Sequence, residues 1–328
     1  MKKFDVMFSS DSKYIDIMLA SIYSFLLNSN FDNIRIHIIT SGFSKEDYKK
    51  IEDFIAMFPN TEIYFYPMEG FDIERYKLPS WRGVQISNAR LFFEEIIKPQ
   101  ILGIENMLYL DSDTITVSDL TDLENYSDGL YAVKDSCMNE YVTSLPNLPT
   151  YYNSGVIYIN VNEWINGGYQ DRIVDFLENN SNIELRLPDQ DTLNCALTDQ
   201  FKQLPLKYNI PPTVYAFNNT FRKIYFNPNR RNISYEQVVE AIQDPKIFHG
   251  YGFGGFKPWQ GKFNPYSEEF MKYILSVNPD FKSDKLDCIQ TAIAKFPYLY
   301  RAIILMMTYM PQSLEQRIKK IAFTLKNN

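Results

Sequence analysis

Residues 4–11 read FDVMFSSD: an apolar run, Phe4 to Phe8, set directly before the polar Ser9-Ser10-Asp11. A short apolar run of this kind predicts a buried strand. Ile15, Met18, Leu19, Ile22 and Leu26 follow at helical spacing. Residues 34–40, IRIHIIT, read as a second strand. Ser44, with Asp47 three residues on, marks the start of a helix that runs through Phe58. Residues 62–66 give a third strand. The order strand, helix, strand, helix, strand predicts a parallel, doubly wound α/β unit. Such sheets take ligands beyond the carboxyl ends of their strands, which places Ser9-Ser10-Asp11 at a ligand edge.

Further along, residues 87–98 read as a helix stopped by Pro99, and residues 107–110 as a buried strand ending in Asp111-Ser112-Asp113. Residues 130–134 and 156–160 read as strands, and residues 189–197 as the opening of a helix. Residues 205–235, rich in Asn, Pro and Tyr, read as loop. Residues 247–249 lead into GYGFGGFKPW at residues 250–259. A boundary near Pro265 divides an α/β body, residues 1–265, from a helical C-terminal part, residues 266–328.

Of 328 residues, 45% are hydrophobic and 22% charged, which excludes intrinsic disorder. Lys+Arg 33 against Asp+Glu 40 leaves a net charge of −7, so a nucleic-acid partner is not expected. Cys137, Cys195 and Cys288 are odd in number and far apart, with no C-x-x-C. That excludes a disulfide framework and fits a reducing, cytoplasmic compartment. Asp5 and Asp11 break the N-terminal apolar stretch, so no signal peptide is expected. From residue 285 onward seven Lys/Arg face two acids, a charge of +5, among Phe296, Tyr298, Leu299, Tyr300 and Ile303 to Met307. Such a tail suits peripheral contact with the anionic inner face of a membrane, or a helical extension packed on the body or a partner.

Asp111-Ser112-Asp113 carries the chemistry. In extended backbone, residues i and i+2 point the same way. Two carboxylates on one side hold a hard divalent ion and leave positions open to diphosphate oxygens. Asp189-Gln190-Asp191 is a second D-x-D, but only the first is delivered to a ligand edge by an apolar strand. The alternative for the first is a solvated turn with an Asx cap. His37 and His249 are the only histidines. His37 alternates with Ile36 and Ile38 and is expected to be structural and to face outward. His249 follows an apolar strand; by itself it reads as structural, and it becomes a ligand only by meeting the aspartates in space, where an Asp, Asp, His set suits Mn²⁺ better than Mg²⁺. Gly250-x-Gly252-x-x-Gly255 matches a dinucleotide fingerprint, yet Lys257-Pro258-Trp259 stands where the helix should begin. A loop approaching phosphate, with Lys257 as a point charge, is the functional reading; a plain surface loop is the other.

Together these pieces resemble glycosyltransferase family 8, the retaining nucleotide-sugar enzymes. The resemblance rests on Val6 to Asp11 with Tyr14, Ser87 to Leu91, Leu108 to Asp113, Tyr152 to Val156 with Ile159-Asn160, Asp189 to Asn194, and His249-x-x-Gly252 with Lys257-Pro-Trp259. It covers about residues 4–260. It implies a GT-A fold, a Rossmann-like mixed sheet flanked by helices. It also implies a UDP-hexose donor, UDP-glucose or UDP-galactose, bound with Mn²⁺ or Mg²⁺, and a glycan acceptor. Asp111, Asp113 and His249 would hold the metal, and Ser9 and Asp11 the uridine. Arg90 would approach the diphosphate and the sugar, Lys257 the phosphate, and Ser112 and Gly252 would also contact the donor. Asn153, Asp189 and Gln190 would line the sugar, Asp189 and Gln190 as the catalytic residues. Gln190, an amide where a double displacement would need a nucleophile, implies front-face attack with retention. For Asp189 and Asp191 the structural alternative is helix N-capping and dipole complementation, which is the whole role expected of Asp191. The composition, leaning to Lys, Asn, Ile and Tyr, fits an AT-rich bacterial genome. One departure stands out: the family pattern has two residues between the Gly and Lys-Pro-Trp, and Phe253 to Phe256 puts four there. A non-catalytic sugar-nucleotide or glycan-binding module is the alternative function.

Overall fold

Strand β1 (Phe4–Asp11) is buried along its whole length up to Asp11, because both faces of the sheet it joins are covered. It pairs in parallel with β2 (Ile34–Ser41), Phe4 opposite Ile34 and Asp11 opposite Ser41. β2 pairs in parallel with β3 (Thr61–Pro67). Helices α1 (Ile15–Asn28) and α2 (Lys45–Ile55) are the crossovers. α2 starts on a reciprocal cap: Asp47 N donates to Ser44 Oγ at 3.2 Å, and Ser44 N to Asp47 Oδ2 at 2.8 Å. It ends at Ile55, one turn before Phe58.

This computed structural model describes residues 3–80, 85–136, 148–227, 231–253 and 256–296, with Val142, Leu145, Pro146, Tyr298, Arg301, Ala302 and Met306. Cys137, Gly254, Gly255, Leu299, Tyr300, Ile303 to Leu305 and the tail from residue 307 onward lie outside the described residues. The described strands form a seven-stranded sheet in the order β3-β2-β1-β4-β7-β6-β8. β4 (Asn106–Leu110) joins β1 in parallel. β7 (Tyr152–Asn160) runs antiparallel to β4 and to β6 (Leu130–Lys134), and β8 (Phe201–Gln203) runs parallel to β6. The sheet is therefore mixed, as the sequence implied. Strand order reverses between β1 and β4, whose carboxyl ends open the same edge.

One face, with Val6, Phe8, Ile36, Ile38, Leu108 and Leu110, packs on α1 and α2. The other, with Met7, Ile39, Met107 and Tyr109, packs on Leu91 to Phe93 and Trp164. The second face is built by α3 (Phe93–Ile97), α4 (Val161–Asn166), α5 (Tyr169–Asn179) and α6 (Pro188–Ala196). His37 lies on this face, fully buried rather than outward. Its Nε2 meets Asp5 Oδ1 at 2.9 Å and its Nδ1 meets the Tyr66 hydroxyl at 2.9 Å. In a strand covered on both sides, alternation does not select a solvent face.

Two other expectations change. Residues 86–98 open as a 3-10 helix, Ile86–Phe92, before α3, and Lys98 stops it at a φ of 54°. Residues 205–235 are not simply loop: α7 (Thr213–Ala216) and α8 (Asn219–Tyr225) lie within them, and α9 (Tyr235–Gln243) follows. The polar residues that read as loop formers are caps. Asn218 Oδ1 accepts from Phe221 N at 3.1 Å, and Ser234 forms a capping box with Gln237.

A second, two-stranded sheet pairs β5 (Thr114–Thr116) antiparallel with β9 (Ile247–His249). α10 (Ser267–Val277) packs Phe270, Tyr273 and Ile274 against Ile17 and Ala20 of α1, with Ile115 and Trp259. α11 (Cys288–Lys295) starts on a capping box at Asp287. Among the described residues no helix is long and apolar enough to cross a membrane.

The α2 cap is exposed and local, so Ser44→Ala should lower the unfolding free energy by about 1 kcal/mol. Urea titration measures it, with an unchanged m-value expected.

Candidate active site

The acidic turn is held from three sides. Asp111 N donates to Gly155 O at 2.8 Å. Thr114 donates to Asp111 O through N at 3.1 Å and through Oγ1 at 2.9 Å. Ser112 Oγ donates to Ser9 O at 2.9 Å and ties the turn to β1. The β5–β9 ladder sets Thr114 opposite His249 and so lays the imidazole beside both acids.

His249 Nε2 stands 3.4 Å from Asp111 Oδ2 and 3.4 Å from Asp113 Oδ1. The three ligand atoms lie within 4.8 Å of one another. Two ligands each about 2.1 Å from one ion, at right angles, are about 3 Å apart, so the donor set fits a single divalent cation. Gly155 makes the approach possible: a Cβ there would come 2.1 Å from His249 Cε1 and 2.7 Å from Asp111 Oδ2.

Charge compensation is dense. The buried Arg90 reaches Asp111 Oδ1 through Nη2 at 2.7 Å and Asp189 Oδ2 through Nε at 3.2 Å. Its Nη1 donates to Ser154 O at 2.7 Å, and its guanidinium lies 4.3 Å from the Tyr109 ring centre. Tyr109 donates to Asp111 Oδ1 at 2.7 Å and bonds Ser9 Oγ at 3.1 Å. Lys257 Nζ pairs with Asp113 Oδ2. Burial alone would raise both acids. The Arg90 charge and the His249 bond instead hold Asp111 low, and the Lys257 charge and His249 hold Asp113 well below the carboxylate range. Burial disfavours charge on His249, yet its bonds to the two acids lift it to about 9. The corner thus has a field that favours an added positive charge.

At the start of α6, Pro188 takes the first position and Asp189 and Asp191 fill the first turn. Burial raises the Asp189 carboxyl in spite of Arg90. Asp189 Oδ2 accepts from Ser154 Oγ at 3.1 Å. Gln190 Oε1 accepts from Ser154 N at 3.0 Å and from Asn153 Nδ2 at 3.1 Å. Asp191 accepts from Tyr151 OH at 2.5 Å and from Leu187 N at 2.8 Å, so it reaches back from inside the helix to the residue before it and does not stand at the N-cap itself.

Residues 5–262 match the sequence model of glycosyl transferase family 8. The chain belongs to glycosyl transferase family 8. This family 8 chain is 28% identical over 285 residues to a lipopolysaccharide 1,2-glucosyltransferase of Escherichia coli, covering 84% of this chain and 79% of the relative. Its fold matches galactosyltransferase LgtC, solved with donor and acceptor sugar analogues, at a TM-score of 0.68 and 21% identity. That match covers 84% of this chain and 96% of LgtC. It matches the bifunctional glycosyltransferase WbbM at 0.65 and 20% identity over 83% of this chain, and spans 49% of that longer protein. The fold is GT-A.

Other residues singled out from sequence sit around this cluster. Ser9 is buried with its hydroxyl on Tyr109. Asp11 caps the turn after β1, accepting from Lys13 N at 3.0 Å. Tyr14, 39% exposed, stands edge-on to Trp259 with ring centres 6.0 Å apart. Gly252 is exposed at the head of the longer loop. In that loop Phe253 and Phe256 exchange two backbone bonds, at 3.0 and 3.1 Å, and bury their rings with Phe217 and Phe263. Phe253 and Phe256 are thereby tied to each other, and Lys257 still arrives at Asp113. The sequence reading missed Tyr109, Ser154, Asp135, whose Oδ2 accepts from Asn153 Nδ2 at 3.2 Å, and Asn209, whose Oδ1 meets His249 Nδ1 at 2.9 Å. Tyr109 and Ser154 stood inside quoted motifs; Asn209 lay in presumed loop with no signal of its own.

Gly155→Ala should leave a folded chain by circular dichroism and abolish Mn²⁺ binding in calorimetry, because the imidazole loses its place beside Asp111.

Proposed function

We propose that this family 8 protein transfers a hexose, glucose or galactose, from a UDP-sugar to a hydroxyl of a glycan acceptor with retention of configuration. The acceptor would belong to surface polysaccharide, lipopolysaccharide or glycoprotein synthesis. The observation that carries the reading is the convergence of Asp111, Asp113 and His249 beside Arg90, Lys257 and the Asp189-Gln190 turn.

Mn²⁺, with Mg²⁺ the alternative, would be held by Asp111, Asp113 and His249 and would supply positive charge to the donor diphosphate, making UDP a better leaving group. The chain's own groups do the rest. Ser9, Asp11 and the exposed ring of Tyr14 lie on the side suited to the uridine. Lys257 stands half-buried at the same corner, where its ammonium can turn to phosphate. Ser112 and Gly252 flank the diphosphate side. Arg90 is locked by Asp111 and Asp189, so it orients both acids without needing to move. Asn153, Asp189 and Gln190 form the sugar side. An amide oxygen is a poor nucleophile, and Gln190 Oε1 already accepts two hydrogen bonds. That favours attack by the acceptor hydroxyl from the leaving-group face, with the departing phosphate taking its proton. We assign residues 1–265 to the transfer body and the basic segment toward residue 328 to peripheral membrane docking.

A UDP-sugar panel with Mn²⁺ tests the activity. Hexose release or transfer should appear with one or two donors, vanish with EDTA, and fall at least about 100-fold in kcat for Asp113→Ala. Activity indifferent to both would refute the reading. Binding of UDP-sugar without turnover on any acceptor would mark a binding module instead. Deleting residues after Asp284 should reduce binding to anionic liposomes more than turnover on a soluble acceptor; equal liposome binding by both forms would remove the membrane role.

A further inference from the structure

Behind His249 runs a chain of side-chain amides whose direction is set by two groups that cannot turn over. A backbone N–H only donates. Ser154 N donates to Gln190 at 3.0 Å, so the atom it meets must be Oε1. Asn153 Nδ2 donates to the same oxygen at 3.1 Å. The other end of Asn153 must then be oxygen, and Gly155 N donates to it at 3.0 Å. Asn153 Oδ1 also accepts from Asn209 Nδ2 at 2.8 Å. Asn209 is left with Oδ1 facing His249 Nδ1 at 2.9 Å. An amide oxygen only accepts, so Nδ1 carries the hydrogen, and Nε2 of the neutral ring keeps a bare lone pair. Nε2 is the atom 3.4 Å from both acids.

We propose that Asn209 is the positioning residue that fixes the tautomer and orientation of His249 for metal ligation, with Ser154 N–H and Gly155 N–H setting the sense of the relay. This rests on the reading of Asp111, Asp113 and His249 as a metal triad. Asn209 is 3% exposed and His249 4%, so water does not substitute for the bond. The backbone keeps the two in register: Ile210 N donates to Ile247 O at 2.9 Å, and His249 N to Ile210 O at 3.1 Å. Asn209 is neither a ligand in this triad nor one of the residues assigned to the sugar. Its two side-chain bonds are the one to the imidazole and the one to Asn153 Oδ1, so its role is read from metal affinity without donor or acceptor.

The test uses the full chain without nucleotide or acceptor and reads Mn²⁺ binding from the electron paramagnetic resonance of the free ion. Asn209→Leu keeps the volume and removes the acceptor; Mn²⁺ affinity should fall roughly 10- to 100-fold. Asn209→Asp keeps an acceptor for Nδ1–H but loses the donor to Asn153, and should lose clearly less affinity than Asn209→Leu. Wild-type affinity in Asn209→Leu, or equal losses in both variants, would overturn the relay. A wild-type chain that binds no Mn²⁺ would instead remove the metal reading itself. If Asn209→Leu does not fold, ¹⁵N-histidine spectra of the wild-type chain at saturating Mg²⁺, where the ion has displaced any proton on Nε2, decide the matter. The chain has only two histidines, and trace Mn²⁺ broadens the signals of His249. A protonated Nδ1 with a bare Nε2 is expected there; the opposite tautomer would overturn the proposal.

Discussion

Three carboxylates withdrawn from bulk water, Asp111, Asp113 and Asp189, have to be met by positive charge, and the site follows from how this is done. Leaving such a group buried and unpaired costs several kcal/mol. The counter-charges come from three separate segments: Arg90 from the 3-10 helix before α3, His249 from β9, and Lys257 from the loop beyond it. Arg90 suits the central place because its planar fork reaches Asp111 and Asp189 at once and does not deprotonate. These pairs are poor evidence of net stability. What they do is fix, before any ligand arrives, where Asp111 and Asp113 stand relative to Asp189 at the start of α6.

That arrangement is what electrostatic catalysis requires. Dipoles and charges already oriented cost no reorganisation when charge develops. The lift of His249 to about 9 reports the field at this point: the two acids stabilise a proton on a buried imidazole against the cost of burial. The same field offers a divalent cation a ready place. Tyr109 adds to the rigidity, since one hydroxyl joins Asp111 to Ser9 across the β1–β4 pair.

The first half of the sheet was legible because its cues are local and periodic. Apolar runs, the Ser44–Asp47 cap and the order of elements suffice to predict three parallel strands with two crossovers. The acidic turn was legible for a related reason, since a strand tip is a place and not only a composition. His37 was misjudged because period-2 alternation presumes a solvent face, and this sheet has none at that strand. Residues 205–235 were misjudged because Asn218 and Ser234 are equally good in turns and at helix starts; here each accepts from the backbone N–H three residues on, Phe221 and Gln237, and so starts a helix. Asn209 was invisible for a deeper reason. Its role exists only because β9 returns antiparallel to β5, more than a hundred residues after it, and brings the imidazole alongside.

The longer loop before Lys257 shows how the fold tolerates a change of length at a sensitive point. Loop-closure entropy grows only slowly with added residues, so an insertion is cheap if its ends stay in place. Here Phe253 and Phe256 bond to each other through the backbone and sink their rings beside Phe217 and Phe263. The apolar burial that anchors the loop is thus carried by its two ends. Pro258 and Trp259 then hold the far side, with Trp259 packed against the residues of α1 and α10. Between these flanks Lys257 is delivered to the corner, where its ammonium pairs with Asp113. Its backbone is placed by the aromatic anchors on either side and not by the number of residues between Gly252 and Lys257.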